Sequence, residues 1–72
     1  MHRYRVSYRI IEPTQPSVSH VYNFVVEATT TMAAEQKAYG PLTDACIDLF
    51  GSFYSEWIMR ASVVRLADGR SN

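Results

Sequence analysis

Few side chains in this sequence could carry covalent or acid–base chemistry: Cys46, His2, His20 and seven scattered carboxylates. A nucleophilic thiol needs a base or a positive charge beside it to become a thiolate. Cys46 instead falls in an apolar stripe of helical spacing, where a thiol packs as a small hydrophobe. His20 opens a strand and His2 lies near the N-terminus, and no carboxylate or thiol sits at a spacing that would orient either ring, so both read as solvated or edge histidines. Metal binding would need convergent ligands, but HxxxH and CxxC are absent and the acids are dispersed. The glycines at 40, 51 and 69 are too far apart for a phosphate loop. The expectation is a chain that is not an enzyme and carries no cofactor and no metal.

What remains is contact chemistry, and here the charges are laid out unevenly. The formal net charge is zero. Residues 1–11 nevertheless hold Arg3, Arg5 and Arg9 with no acid, and residues 57–72 hold Arg60, Arg65 and Arg70 against Asp68. Between them Glu12, Glu27, Glu35, Asp44, Asp48 and Glu56 face Lys37 alone. Arginine supplies six of the seven basic residues, which favours planar, bidentate contacts with carboxylates or phosphates. Three candidate contact surfaces follow. Arg3, Arg5, Arg9 and Arg60 form an arginine face. Asp44 and Asp48, one helical turn apart, form either a solvated helix face or, with Glu35 upstream, an acidic surface for an arginine-rich partner. Ile47 and Tyr54, with Tyr39 nearby if the helices are continuous, form an apolar flank that serves either as a contact or as the rim of the core.

The elements that must position these residues can be read from periodicity. Tyr4, Val6, Tyr8 and Ile10 alternate with Arg3, Arg5, Ser7 and Arg9, the pattern of a half-buried strand with an arginine face. The stretch Glu12-Pro13-Thr14-Gln15-Pro16-Ser17 reads as a loop. A second strand from about Val18 to Ala28 puts Tyr22, Phe24, Val26 and Ala28 on one face and completes a hairpin. Thr29-Thr30-Thr31 offers hydroxyl caps for a helix beginning near Met32. Gly40-Pro41 predicts a kink or a break, with a second helix starting at Pro41. There Leu42, Ala45, Cys46, Leu49, Phe50 and Phe53 form the stripe expected to pack on the sheet. A third strand from about Trp57 to Leu66 is expected to turn Trp57, Met59, Ala61 and Val63 inward.

The fold class is therefore α+β, with a three-stranded antiparallel or mixed sheet packed on one face by a kinked or split helix in the order β-β-α-β. The other sheet face is left open, carrying Arg3, Arg5, Arg9, Val21, Asn23, Val25, Ile58, Arg60 and Val64. At 72 residues the chain reads as one domain, residues 1–72, with a flexible tail at 67–72. One cysteine forbids an intrachain disulfide and suits a reducing, cytoplasmic setting. No apolar run suggests a signal peptide or a membrane span.

The junction Phe24-Val25-Val26-Glu27-Ala28-Thr29-Thr30 running into Ala33, Ala34 and Ala38 resembles the strand-to-helix junction of small phage and mobile-element proteins. Some anti-CRISPR proteins of similar size share the strand-strand-helix-strand layout, which covers residues 3–66 here, while the motif covers residues 24–38. Gly40-Pro41 departs from the pattern, so helix geometry does not carry over. The resemblance implies a non-enzymatic binder that blocks a host protein or complex, and no functional residue transfers with it, because such inhibitors share no site motif.

The leading expectation is thus a non-catalytic protein-interaction module of the phage-inhibitor kind. The alternative is a small nucleic-acid-binding or regulatory protein using Arg3, Arg5, Arg9 and Arg60, with binding that weakens steeply in salt. A homodimer through the open face or an edge strand is compatible with both.

Overall fold

The computed structural model describes residues 1–12, 14, 15 and 17–67. Strand β1 (His2–Ile11) is the central strand of an antiparallel sheet in which β2 (Ser19–Ala28) and β3 (Ile58–Arg65) are the two edges. Helix α1 (Thr31–Phe50) covers one sheet face, and a 3-10 turn, Ser55–Trp57, leads into β3. The α+β, β-β-α-β layout is the one the sequence predicts. The tail expected to be flexible lies, from residue 68 onward, outside the described residues, as do the two loop prolines.

Burial across the sheet follows the strand order. The inward set of β1, Tyr4, Val6, Tyr8 and Ile10, is fully buried, whereas Tyr22, Phe24 and Val26 on β2 and Val63 on β3 are half-buried. The inward side chains of β1 are enclosed by a strand on each side and by the helix above, whereas those of β2 and β3 are open at the sheet edges. The hairpin between β1 and β2 is closed where the Glu12 N–H donates to the Val18 carbonyl at 2.9 Å.

Each end of the helix is fixed by a local device. The Thr30 hydroxyl accepts from the Ala33 N–H at 3.1 Å, which makes Thr30 the N-cap among the three threonines. At the other end Gly51 adopts φ 83°, a left-handed conformation that glycine takes without a Cβ penalty, and its N–H donates to the Ile47 carbonyl. Between the caps the helix runs for 20 residues through Gly40-Pro41, so the break weighed from the sequence does not occur. Gly40 has no Cβ to meet the pyrrolidine ring that follows it, which removes much of the usual obstacle to a helical residue before proline. Pro41 still deletes the N–H that would pair with the Lys37 carbonyl. Because Pro41 is exposed, Pro41→Ala is expected to raise the unfolding free energy by about 2–3 kcal/mol in urea denaturation.

The helix packs along one diagonal ridge. Ala34, Ala38, Leu42 and Cys46, each four residues from the last, are fully buried, and Phe50 continues the line half-buried. This corrects the expected stripe: Leu49 is 58% exposed, while Ala45 and Phe53 are half-buried. Rows of residues spaced by four are inclined to the helix axis. By the last turn the buried line has rotated toward Cys46 and Phe50, leaving Leu49 outside. The small Ala34 and Ala38 share this core with the large Tyr4 and Tyr8, and the Tyr8 hydroxyl donates to the Glu35 backbone carbonyl at 3.0 Å, tying sheet to helix.

Burial pushes the Tyr8 phenol above its ordinary value, with the Glu35 carboxylate adding to the effect; burial likewise raises Tyr22 and Cys46. A group held neutral by a raised folded-state pKa contributes stability that is complete below its unfolded pKa and is lost as pH rises through the folded value. The denaturation midpoint is therefore expected to fall above pH ~9, first through Cys46 and then through the tyrosines. Cys46→Ala should flatten the first part of that decline and Tyr8→Phe the second.

Candidate interaction surface

The register of the sheet builds the open face in rows. Arg5 stands between Val25 and Val64, Ser7 between Asn23 and Ser62, and Arg9 between Val21 and Arg60, while Arg3 faces Glu27. All four arginines are exposed, and Val21, Val25 and Val64 are each about half exposed. The structure thus brings Arg3, Arg5, Arg9 and Arg60 onto one face, as their alternation predicts. Ser7 donates to the Asn23 side-chain carbonyl at 2.6 Å, which orients the central polar row.

Two inward and outward assignments on β3 are corrected. The β1–β3 register shifts between Arg9 and Ile10, so that Arg9 pairs with Arg60 and Ile10 with Ile58, leaving Met59 as an extra residue. Such a bulge reverses the parity beyond it. Ile58 therefore packs against the core and leaves the open face, and Met59 is 59% exposed. Ala61 and Val63 keep the predicted parity opposite Tyr8 and Val6, although Ala61 is exposed. Arg65, opposite Tyr4, lies on the helix side of the sheet.

The charges separate by face. Outward on the sheet, Arg3, Arg5, Arg9 and Arg60 against Glu27 leave a net +3; the other described residues hold Glu12, Glu35, Asp44, Asp48 and Glu56 against Lys37 and Arg65, a net −3. Arg9 and Arg60 are directly opposite each other, an arrangement that destabilises a sheet. The only ion pair among the described residues is His20–Glu12, so none of these residues neutralises either arginine. Ser7, Arg9, Val21, Arg60 and Ser62 line a cavity of about 180 Å³ there.

The other two candidate surfaces are less coherent. Asp44 and Asp48 are exposed on the helix, but Glu35 lies about two and a half turns from Asp44 and lines a groove with Tyr8, Tyr39 and Ile58 on another side. Ile47 is 48% exposed on the helix, whereas Tyr54 lies beyond its end, with its ring 5.4 Å from that of Trp57. Tyr39 packs edge-on against Phe53 at 5.7 Å, so the aromatic residues around the helix end join one another more than they join Ile47.

The hairpin also brings together a pair that lies eight residues apart in the chain. The His20 Nε2 lies 3.3 Å from the Glu12 carboxylate, which also accepts from the Thr14 hydroxyl at 3.0 Å, and the His20 ring packs against Phe50. His20 therefore does have an orienting carboxylate, brought to it by the hairpin. Cys46 is buried and unpaired, as its place in the stripe predicts.

Comparison with protein-family models, curated proteins and solved structures finds no match for this chain. Among the described residues no helix is long and apolar enough to cross a membrane, and no three His, Cys, Asp or Glu side chains converge on a common point.

Proposed function

We propose that the chain is a non-catalytic protein-interaction module that blocks a host protein or complex by occupying its functional surface, as the small phage-encoded inhibitors it resembles would, and that the open sheet face is its contact. The observation that carries this reading is the Arg9–Arg60 pair, two like charges held opposite each other beside exposed valines, with no acid paired to either among the described residues. A local arrangement that costs stability is expected where function requires it. The buried, unpaired Cys46 suits the reducing cytoplasm of a host cell.

Affinity capture with the wild type, with R5Q/R9Q/R60Q and with D44N/D48N tests the choice of surface. The same specific protein should be retained by the wild type and by D44N/D48N and lost by the arginine variant. Retention by the arginine variant would contradict the reading.

The second reading, a nucleic-acid binder, is favoured by the gathering of four arginines on one face. It lacks a stacking platform, because Tyr4 and Tyr8 are turned into the core. A gel-shift series at low ionic strength that shows no complex would remove it. A homodimer formed face to face would set +3 against +3, which leaves the β2 and β3 edges as the routes to self-association that light scattering would test.

A further inference from the structure

We infer that the cavity between Arg9 and Arg60 is an oxyanion cradle that receives an aspartate or glutamate carboxylate from an acidic protein segment in which aliphatic residues flank the acid. The inference rests on the reading of the open face as the contact surface and names the chemistry of its partner.

The cradle is built from opposing strands of a paired sheet, so the positions from which its two arginine side chains start are set by the backbone. Directly opposite residues in an antiparallel pair place their Cβ atoms about 4.5–5.5 Å apart, close enough for two guanidinium groups to address one carboxylate. Arg9 and Arg60 bring planar donor forks, and Ser62 adds a hydroxyl that has no hydrogen-bond partner among the described residues. Ser7 is already committed to Asn23 and sets one side of the cavity. The depression, about 180 Å³ and open to solvent on its outer side, leaves room for one small anionic group.

An oxyanion on a protein and one on a nucleic acid share this chemistry, and the surroundings choose between them. Val21 lines the cavity, and Val25 and Val64 flank Arg5 on the neighbouring part of the face. These aliphatic side chains complement apolar residues next to an acid. No aromatic ring occupies the outward positions of the three strands, so a nucleobase would find nothing to stack on. Charge complementarity, net +3 on the face, then requires a partner surface that is acidic.

A labelled ten-residue peptide alternating glutamate and valine, its glutamine–valine counterpart and an oligo-dT of similar length serve as probes in fluorescence anisotropy at fixed salt. The glutamate peptide is expected to bind, the glutamine peptide to bind at least tenfold more weakly, and R9Q and R60Q each to weaken the glutamate peptide about tenfold, with R3Q costing less than threefold. Thermal melting of R9Q and R60Q should show no loss of Tm, which separates lost binding from lost folding. If R9Q and R60Q weaken binding no more than R3Q does, the cradle is wrong while the open face survives as the contact. If R5Q/R9Q/R60Q binds the glutamate peptide as well as the wild type does, the open face itself fails. Tighter binding of oligo-dT than of the glutamate peptide would overturn the assignment of a protein partner.

Discussion

Arg60→Glu is expected to make the isolated protein more stable and its binding much weaker. In the wild type Arg60 faces Arg9 across β1 and β3, and among the described residues no acid is paired to either. The substitution removes a like-charge contact and sets a carboxylate opposite Arg9, and cross-strand pairs of opposite charge are worth about 0.2–1 kcal/mol each. A gain of about 0.5–1 kcal/mol in urea denaturation is therefore expected at low salt, shrinking as salt screens the pair. The same change places a negative charge where the proposed acidic partner would dock. Loss of one charge contact together with the new repulsion should weaken binding by about 100-fold, equivalent to about 2.7 kcal/mol. A residue kept only for the fold would not produce opposite signs in the two measurements.

The largest effect on the fold itself is expected at Leu42. It is the bulkiest member of the buried helical ridge, is fully inaccessible, and has only alanine and cysteine as its buried ridge neighbours. Ala34, Ala38 and Cys46 cannot grow to fill the space that Leu42→Ala would open, and Leu→Ala at such sites costs about 3–5 kcal/mol through lost transfer energy and the residual cavity. A 72-residue domain with one helix over three strands has little stability to spare. Leu42→Ala should therefore lower the urea midpoint far more than Leu49→Ala, although a simple helical stripe counts both as core. Equal effects at the two positions would contradict the diagonal ridge.

How much of this could be read from the sequence depends on whether the governing interaction is local. The alternation Arg3-Tyr4-Arg5-Val6 fixes which side of β1 is buried, because the strand period is two and the apolar set is complete. The threonine run before an alanine-rich segment likewise announces the helix start. The bulge at Met59 leaves no such signal: it belongs to the pairing of β3 with β1, and one unpaired residue is enough to send Ile58 inward and Met59 outward. Gly40-Pro41 carries opposite messages, a break by propensity and a continuous helix by packing, and the burial of Ala34 and Ala38 on the same ridge as Leu42 and Cys46 favours continuity.

The candidate site divides in the same way. That the arginines of β1 share a face follows from parity alone, whereas the placement of Arg60 opposite Arg9 depends on the register of a strand some fifty residues away. Glu12 reaches His20 only because the hairpin folds back on itself, and Tyr54 leaves the company of Ile47 because the helix is capped at Gly51. These are relations between elements, and composition and spacing within one element do not encode them.

The most direct test of the open face as the contact surface is an amide and arginine side-chain NMR titration of the wild-type protein with the glutamate–valine peptide. The expected result is shifts concentrated on Arg5, Ser7, Arg9, Val21, Val25, Arg60, Ser62 and Val64, with Asp44, Ile47, Asp48 and Tyr54 unmoved. Shifts confined to the outer side of the helix or to the aromatic cluster around Trp57, with the β1 arginines silent, would contradict the account.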